Sequence, residues 1–193
     1  TKLCLEKIFI AANNVKGKQK IKFSIARYGN VFGSRGSIIP YLKESEYNDF
    51  ITITDKKMTR FNITLNESVN FIFWILKNNL GGEIFIPKIP SYRILDLVKA
   101  IRPNKKIKYI GIRPGEKMHE SMISESDAPF CLDLGKYYAV LQNGNDKLYK
   151  RYIKNNKVNK VANNFSYTSD KNDVFLNPKQ IYKLYKEEFL IDS

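Results

Sequence analysis

Arg27-Tyr-Gly-Asn-Val-Phe-Gly-Ser-Arg-Gly-Ser37 is the stretch from which the rest of this chain is best read. It follows the alternating Ile21, Phe23 and Ile25, and so reads as a strand end running into a glycine-punctuated loop. The glycines let the backbone turn sharply and come close to a ligand. Arg35 offers a planar set of donors suited to phosphate, and Asn30 both donates and accepts. Ser37, before Ile38, stands where it would cap a helix whose free N–H groups face an anion. Many loops of this composition only make turns, so the stretch alone leaves turn and ligand site both open.

Elements on either side alternate between helix and strand. Leu5, Ile8, Phe9 and Ala12 follow the spacing of a buried helix face that Gly17 ends. A helix is expected over about 37–46 and a strand over 51–54. Thr64 and Glu67 form a capping box for a helix with Val69, Ile72, Phe73 and Leu76 inward. Glu83–Pro87 reads as a strand, Ser91 as the cap of a helix that Pro103 stops, and Lys106–Ile112 as a strand. Arg113-Pro-Gly115 is a turn into a short helix from Glu116, and Tyr137–Leu141 is the last strand expected. This order indicates an α/β protein. Residues 142–176, rich in Asn, Lys and Asp, read as an extended or partly mobile tail. The tail ends in a helix with Asn177 as cap, Pro178 first, and Ile181, Leu184 and Tyr185 on one face.

Composition narrows the function classes. With 193 residues and 43% hydrophobic content, one domain with a real core is expected. No run reaches the roughly 18 apolar residues of a membrane span, so no membrane segment is expected in this chain, and no secretory signal is read. Cys4 and Cys131 match no metal or disulfide spacing and fit the reducing cytoplasm. The single histidine, His119, rules out a histidine-rich metal site, and a surface or packing role is expected for it. A net charge of +14 invites a nucleic-acid partner. The lysines are spread along the chain, however, and no zinc-finger or RNA-binding signature accompanies them, so no nucleic acid is expected.

Arginine is scarce beside lysine, yet Arg35, Arg60 and Arg113 each fall in a loop expected after a strand, where α/β folds place ligands. Singly, each reads as a loop salt bridge; together, a shared diphosphate accounts for them better. Glu116 either accepts from ribose hydroxyls beside Arg113 or supplies negative charge at a helix N-terminus. Met58 and Phe61 read as core or lip residues. No Gly-x-Gly-x-x-Gly turn follows any strand in this stretch.

These segments resemble the inverting UDP-N-acetylglucosamine 4,6-dehydratases of the extended short-chain dehydrogenase/reductase superfamily. The resemblance is carried by residues 27–37, Thr54-Asp-Lys-Lys-Met-Thr-Arg-Phe61, Gly82-Glu-Ile-Phe-Ile-Pro-Lys-Ile-Pro90 and, most specifically, Gly111-Ile-Arg-Pro-Gly-Glu-Lys-Met-His-Glu120. It covers residues 1 to about 125; the tail, through Phe165-Ser-Tyr-Thr-Ser-Asp170, is more weakly similar to soluble members that begin pseudaminic acid synthesis.

The resemblance implies the C-terminal part of a Rossmann-like fold plus a small substrate-binding subdomain. Residues 1–36 would end the NADP-binding domain, residues 37–141 would mix the sugar-nucleotide subdomain with remaining Rossmann elements, and residues 142–193 would be the tail. It implies that Lys2, following Thr1, is the lysine of the superfamily's Tyr-x-x-x-Lys pair, holding the nicotinamide ribose and acting in catalysis. Tyr28 would lie by the nicotinamide and Asn30 by the substrate diphosphate. Arg60 and Arg113 would grip that diphosphate, Arg35 and the Ser37 backbone would complete the phosphate site, and Glu116 would meet the uridine ribose. No metal is implied. NADP is the expected cofactor, with NAD open, and a cytoplasmic homo-oligomer acting on a UDP-sugar is the expected setting.

The same loops are shared with nucleotide-sugar 4-epimerases and retaining dehydratases, which remain the rival enzymes; a basic, non-catalytic binding module is the rival outside catalysis. The family's elimination Asp and Lys and its cofactor turn would lie before residue 1. Residues 1–193 alone are therefore expected to show no dehydratase turnover and weak NADP binding, and measurable turnover by this chain alone would overturn that.

Overall fold

The computed structural model describes residues 2–142, 146–155 and 158–189. In chain order these form α1 (Lys2–Val15), β1 (Ile25–Ala26), β2 (Asn30–Val31), α2 (Ile38–Glu44), β3 (Phe50–Ile53), β4 (Thr59–Ile63), α3 (Leu65–Asn78), β5 (Glu83–Pro87), β6 (Ser91–Arg93) and α4 (Ile94–Ile101). Then follow β7 (Lys106–Tyr109), β8 (Ser121–Ile123), β9 (Cys131–Asp133), β10 (Tyr137–Leu141), α5 (Asp146–Asn155), β11 (Asn159–Lys160), β12 (Tyr167–Thr168) and α6 (Pro178–Phe189). The α/β class is as expected, and β5 and β10 coincide with the strands read from sequence.

The elements sort into two compact units that interleave along the chain. One takes the chain up to Tyr28, Asn66–Lys88 and Met122–Ser166; the other takes Gly29–Leu65, Ile89–Ser121 and the chain from Tyr167 onward.

The first unit is built on a five-stranded sheet in the order β1-β5-β10-β9-β11. β1 and β5 run parallel, whereas β10 pairs antiparallel with β5 from Tyr137 opposite Pro87 to Leu141 opposite Glu83. Every residue of β5 is buried, as a strand covered on both faces requires. Phe71, Phe85, Leu132, Leu148 and Tyr152 share its core. Glu83, fully buried, accepts hydrogen bonds from Ser24 Oγ (2.7 Å), Leu80 N (2.7 Å), Gly81 N (2.8 Å) and the Tyr152 hydroxyl (2.9 Å). Burial, then the adjacent carboxylate, drives the Tyr152 hydroxyl far above the usual tyrosine range.

Leu148 and Tyr152 belong to α5, so the expectation of an extended stretch over 142–176 is corrected. The segment folds back because its apolar residues, four apart on a helix, find the sheet. Its low-periodicity composition hid that pairing.

Two helix faces are also corrected. In α1 the inward line is Glu6, Ile10 and Asn13, while Leu5, Ile8 and Phe9 are exposed. Asn13 brackets Phe23, donating to its carbonyl (2.8 Å) and accepting from its N–H (3.1 Å). Glu6 meets Arg27, so polar pairing orients this helix. In α3 the inward residues are Ser68, Phe71 and Ile75, leaving Val69, Ile72, Phe73 and Leu76 exposed. The eight apolar residues among its fourteen spread over more than one side, so periodicity offered two faces; the stacking of Phe71 on Tyr137 (5.1 Å) decides.

In the second unit, β2 pairs parallel with β4, which pairs antiparallel with β6, and β3 pairs parallel with β7. Phe32, Ile39, Leu42, Ile51, Leu97 and Ile181 are among its core residues. Met58 and Phe61 are buried, as read from sequence. Ser91 does not cap α4: it lies in β6, and α4 starts after Arg93. No helix follows Glu116; the chain there turns on Glu116 N–Arg113 O (3.0 Å) and runs to Glu120 without regular structure.

The capping of α6 is as expected. Asn177 N donates to Gln180 Oε1 (2.9 Å) and Gln180 N to Asn177 Oδ1 (3.0 Å), with Pro178 in the first turn. Ile181 is completely buried, with Leu184, Tyr185 and Phe189 packed on the same core. Ile181→Ala is expected to cost about 2–5 kcal/mol, the range for truncating a core aliphatic, as read by urea unfolding; a loss below 0.5 kcal/mol would mean that α6 is not part of this core.

Candidate functional site

The second unit brings the sequence-chosen Asn30 and Arg60 together on a residue that the sequence did not single out, Glu120. In the β2–β4–β6 sheet, Asn30 stands opposite Asn62, and Arg60 opposite Tyr92. Alternation along β4 puts Arg60 and Asn62 on one face.

Glu120 serves that face. Its Oε2 accepts the Phe61 N–H (3.0 Å), and its Oε1 lies 3.9 Å from Arg60 Nε. With its amide nitrogen toward the carboxylate, Asn30 donates to Oε1 (2.5 Å) and Oε2 (3.1 Å). Burial raises the Glu120 pKa, opposed by the Phe61 N–H, Arg60 and Lys117. Burial, and then Glu120, also holds the Tyr92 hydroxyl well above the ordinary tyrosine range, with Arg60 pulling the other way.

Arg60 is largely withdrawn from solvent. Its Nη1 donates to the carbonyls of Thr59 (2.7 Å) and Met118 (3.1 Å), and Nη2 lies 3.2 Å from Met58 Sδ. It therefore ties β4 to the 113–120 segment. His119 does the same through a 2.8 Å bond between Nδ1 and Thr59 Oγ1; Thr59 in turn bonds Ser169 Oγ (2.7 Å), which accepts the Glu120 N–H (2.9 Å). Packing is thus the role that His119 plays in the structure.

Glycine is required twice near this site. A Cβ on Gly29 would stand 2.4 Å from Phe61 Cβ, and Gly33, at φ +73°, would drive one to 2.0 Å from the Phe189 ring. The end of α6 thus packs on the loop that carries Arg35.

Arg35 itself is exposed. Ser37 precedes α2 as expected, but its backbone N–H donates to Ser34 O (3.0 Å), and its buried hydroxyl has no partner. Arg113 is exposed, while Glu116 accepts from Thr54 Oγ1 (3.1 Å) and Arg113 N (3.3 Å). That carboxylate thus fastens the loop after β7 to the end of β3.

Lys2 and Tyr28 belong to the first unit, apart from the other six. Lys2 is exposed at the start of α1, whereas Thr1 lies outside the described residues. Tyr28 is 39% exposed, its ring edge-on to Phe71. The neighbouring Arg27 is spoken for: it meets Glu6 (2.6 Å), Asp127 (3.2 Å) and the Met122 carbonyl (2.7 Å). A separate cavity of about 440 Å³ in this unit, lined by Lys7, Ile10, Phe130 and Leu141 among others, contains none of the chosen residues. Among the described residues, no acidic, histidine or cysteine cluster is placed to hold a metal, and no helix is long and apolar enough to cross a membrane.

Sequence reasoning missed Glu120, Asn62 and Tyr92. Glu120 had a signal, ending the specific 111–120 run; Asn62 had one too, as a lone amide between Phe61 and Ile63.

A sequence profile described as polysaccharide biosynthesis protein matches residues 1–142, and the chain belongs to that family. It is 43% identical over 190 residues to a UDP-N-acetylglucosamine 4,6-dehydratase (inverting) of Campylobacter jejuni, covering 95% of this chain and 57% of the relative. It is 36% identical over 174 residues to a UDP-glucose 4-epimerase of Rickettsia canadensis, covering 88% and 51% respectively. Among solved structures, Pen from Bacillus thuringiensis superposes with a TM-score of 0.84 at 29% identity, covering 98% of this chain and 57% of Pen. The chain thus spans about half the length of the curated relatives it matches.

Asn62 is 2% exposed and its Oδ1 has no partner. An orphaned buried acceptor costs about 1–3 kcal/mol, so Asn62→Leu is expected to leave thermal stability unchanged or raised. A clear fall in melting temperature would show that the amide is satisfied.

Proposed function

We propose that this chain carries the sugar-nucleotide side of an enzyme that dehydrates UDP-N-acetylglucosamine to the UDP-4-keto-6-deoxy sugar with inversion at C5. The observation that carries the reading is 43% identity, across nearly the whole chain, to a protein of that name. The site chemistry agrees: Arg35 and Arg113 are exposed cations in loops, and Asn30 and Arg60 meet at one carboxylate.

On this reading Arg35 and Arg113 reach the diphosphate, where a charge-assisted bond is worth most. Arg60, engaged by carbonyls, shapes the loop beneath them and contributes its charge at short range. Glu116 fixes the Arg113 loop through Thr54 and keeps lone pairs for the uridine ribose. The Ser37 N–H is taken by Ser34 and its hydroxyl is buried, so on this reading Ser37 shapes the phosphate loop rather than donating to it.

Lys2 and Tyr28 suit a nicotinamide nucleotide, since an exposed ammonium and an exposed phenol are the donors that a ribose and a carboxamide need. Bound there, the nicotinamide supplies reversible hydride acceptance, which a 4,6-dehydration needs without net consumption. NADP is the proposed cofactor over NAD. A cytoplasmic homo-oligomer at the start of a surface-sugar pathway, such as that to pseudaminic acid, is the proposed setting.

Chromatographic separation, with mass detection, of the sugar nucleotides formed when an intact protein carrying this chain is incubated with UDP-N-acetylglucosamine and NADP is expected to show a product that has lost one water. An isomeric product, UDP-N-acetylgalactosamine, would instead support the epimerase reading that the Rickettsia similarity favours. Arg113→Ala should raise KM about tenfold or more, the equivalent of one charge-assisted hydrogen bond. An unchanged KM would remove Arg113 from the site.

A further inference from the structure

The polar face of the β2–β4–β6 sheet contains more than the diphosphate reading uses. A carboxylate offers only acceptors when ionised. Both oxygens of Glu120 lie within hydrogen-bond reach of the Asn30 amide, at 2.5 and 3.1 Å. The amide must therefore turn its nitrogen toward Glu120 and its carbonyl away. Phe61 N, at 3.0 Å, pins the carboxylate from the backbone of β4, so Glu120 cannot swing to suit the other orientation.

Asn30 is exposed, so the group it offers outward is reachable. Opposite it in register stands Asn62, whose own Oδ1 is a buried acceptor without a partner. The face thus carries acceptors beside the Arg60 guanidinium, and an outward acceptor suits a sugar O–H or N–H.

We propose that Glu120 is a positioning residue that turns the Asn30 carbonyl outward, making Asn30 a reader of a sugar O–H or N–H rather than a phosphate ligand. This deepens the nucleotide-sugar reading and rests on it. With one N–H committed to Glu120, the carbonyl is the acceptor the amide turns outward, and an ionised phosphate oxygen has no proton to give it. Replacing Glu120 with Gln would place an NH₂ beside Asn30 and let the Asn30 amide turn over, presenting the wrong group to the sugar. Arg60, Tyr92 and Lys117 are the other titratable groups acting on Glu120. Arg60 and Lys117 carry no acceptor, so neither replaces the carboxylate.

The test is calorimetric binding of UDP and of UDP-N-acetylglucosamine to an intact protein carrying this chain, as wild type, Asn30→Ala, Glu120→Gln and the double variant. Asn30 is exposed, so Asn30→Ala probes the site without threatening the fold. Both single variants are expected to weaken UDP-N-acetylglucosamine about tenfold while leaving UDP within about twofold. The double variant should be no worse than the poorer single one, since the two residues act as one unit.

Equal weakening of UDP and UDP-N-acetylglucosamine by Asn30→Ala would place Asn30 on the diphosphate and overturn the inference. Additive losses in the double variant would overturn it as well, because Glu120 would then act elsewhere. If the wild type binds UDP but not the sugar nucleotide, or binds neither, the nucleotide-sugar reading itself falls, and the inference with it.

Discussion

A carboxylate taken out of water must collect hydrogen bonds or give up its charge, and each unit of this protein is arranged around one such group. In the first unit Glu83 is fully buried where β5 begins, and it is satisfied by a hydroxyl, two turn amides and a phenol from α5. In the second, Glu120 gathers a strand amide, the Asn30 side chain and the edge of the Arg60 guanidinium. These demands set which segments meet. Glu83 recruits a lysine-rich helix to the sheet through Tyr152, and Glu120 draws the 113–120 segment onto β4.

The difference between the two carboxylates is instructive. Glu83 has donors on every side and serves architecture alone. Glu120 is only partly enclosed, its side chain 27% exposed, and burial pushes its pKa upward despite Arg60 and Lys117. A group held at that margin is the kind found at functional sites, although ion pairs that serve only structure can show the same sign. Geometry, more than titration, links it to Asn30.

Several arginines that looked alike in sequence divide by burial. Arg27 is consumed by Glu6, Asp127 and a carbonyl, and Arg60 mostly by carbonyls. Arg35 and Arg113 stay exposed on turns. The same side chain therefore either locks a fold or stays in solvent, depending on whether nearby carbonyls and carboxylates reach it first. Gly29 and Gly33 mark the places where backbone and an aromatic ring come too close for any other residue.

Sequence alone settled what short-range chemistry controls. The Asn177–Gln180 box and Pro178 announced α6, residues 83–87 announced the strand β5, and the glycines between Arg27 and Ser37 announced a turn-rich loop. Periodicity failed where it was ambiguous. The apolar residues of α3, spread over more than one side, allowed two inward faces, and α1 chose Glu6 and Asn13 over Leu5, Ile8 and Phe9 because distant partners, Arg27 and Phe23, could satisfy polar groups. Nor could spacing reveal that Asn30 and Glu120, ninety positions apart, share one hydrogen-bonded cluster, or that Tyr152 reaches Glu83. Local propensity fixes where a chain turns and coils; only the folded chain decides which buried polar groups must find each other, because desolvation arises only once the segments have packed.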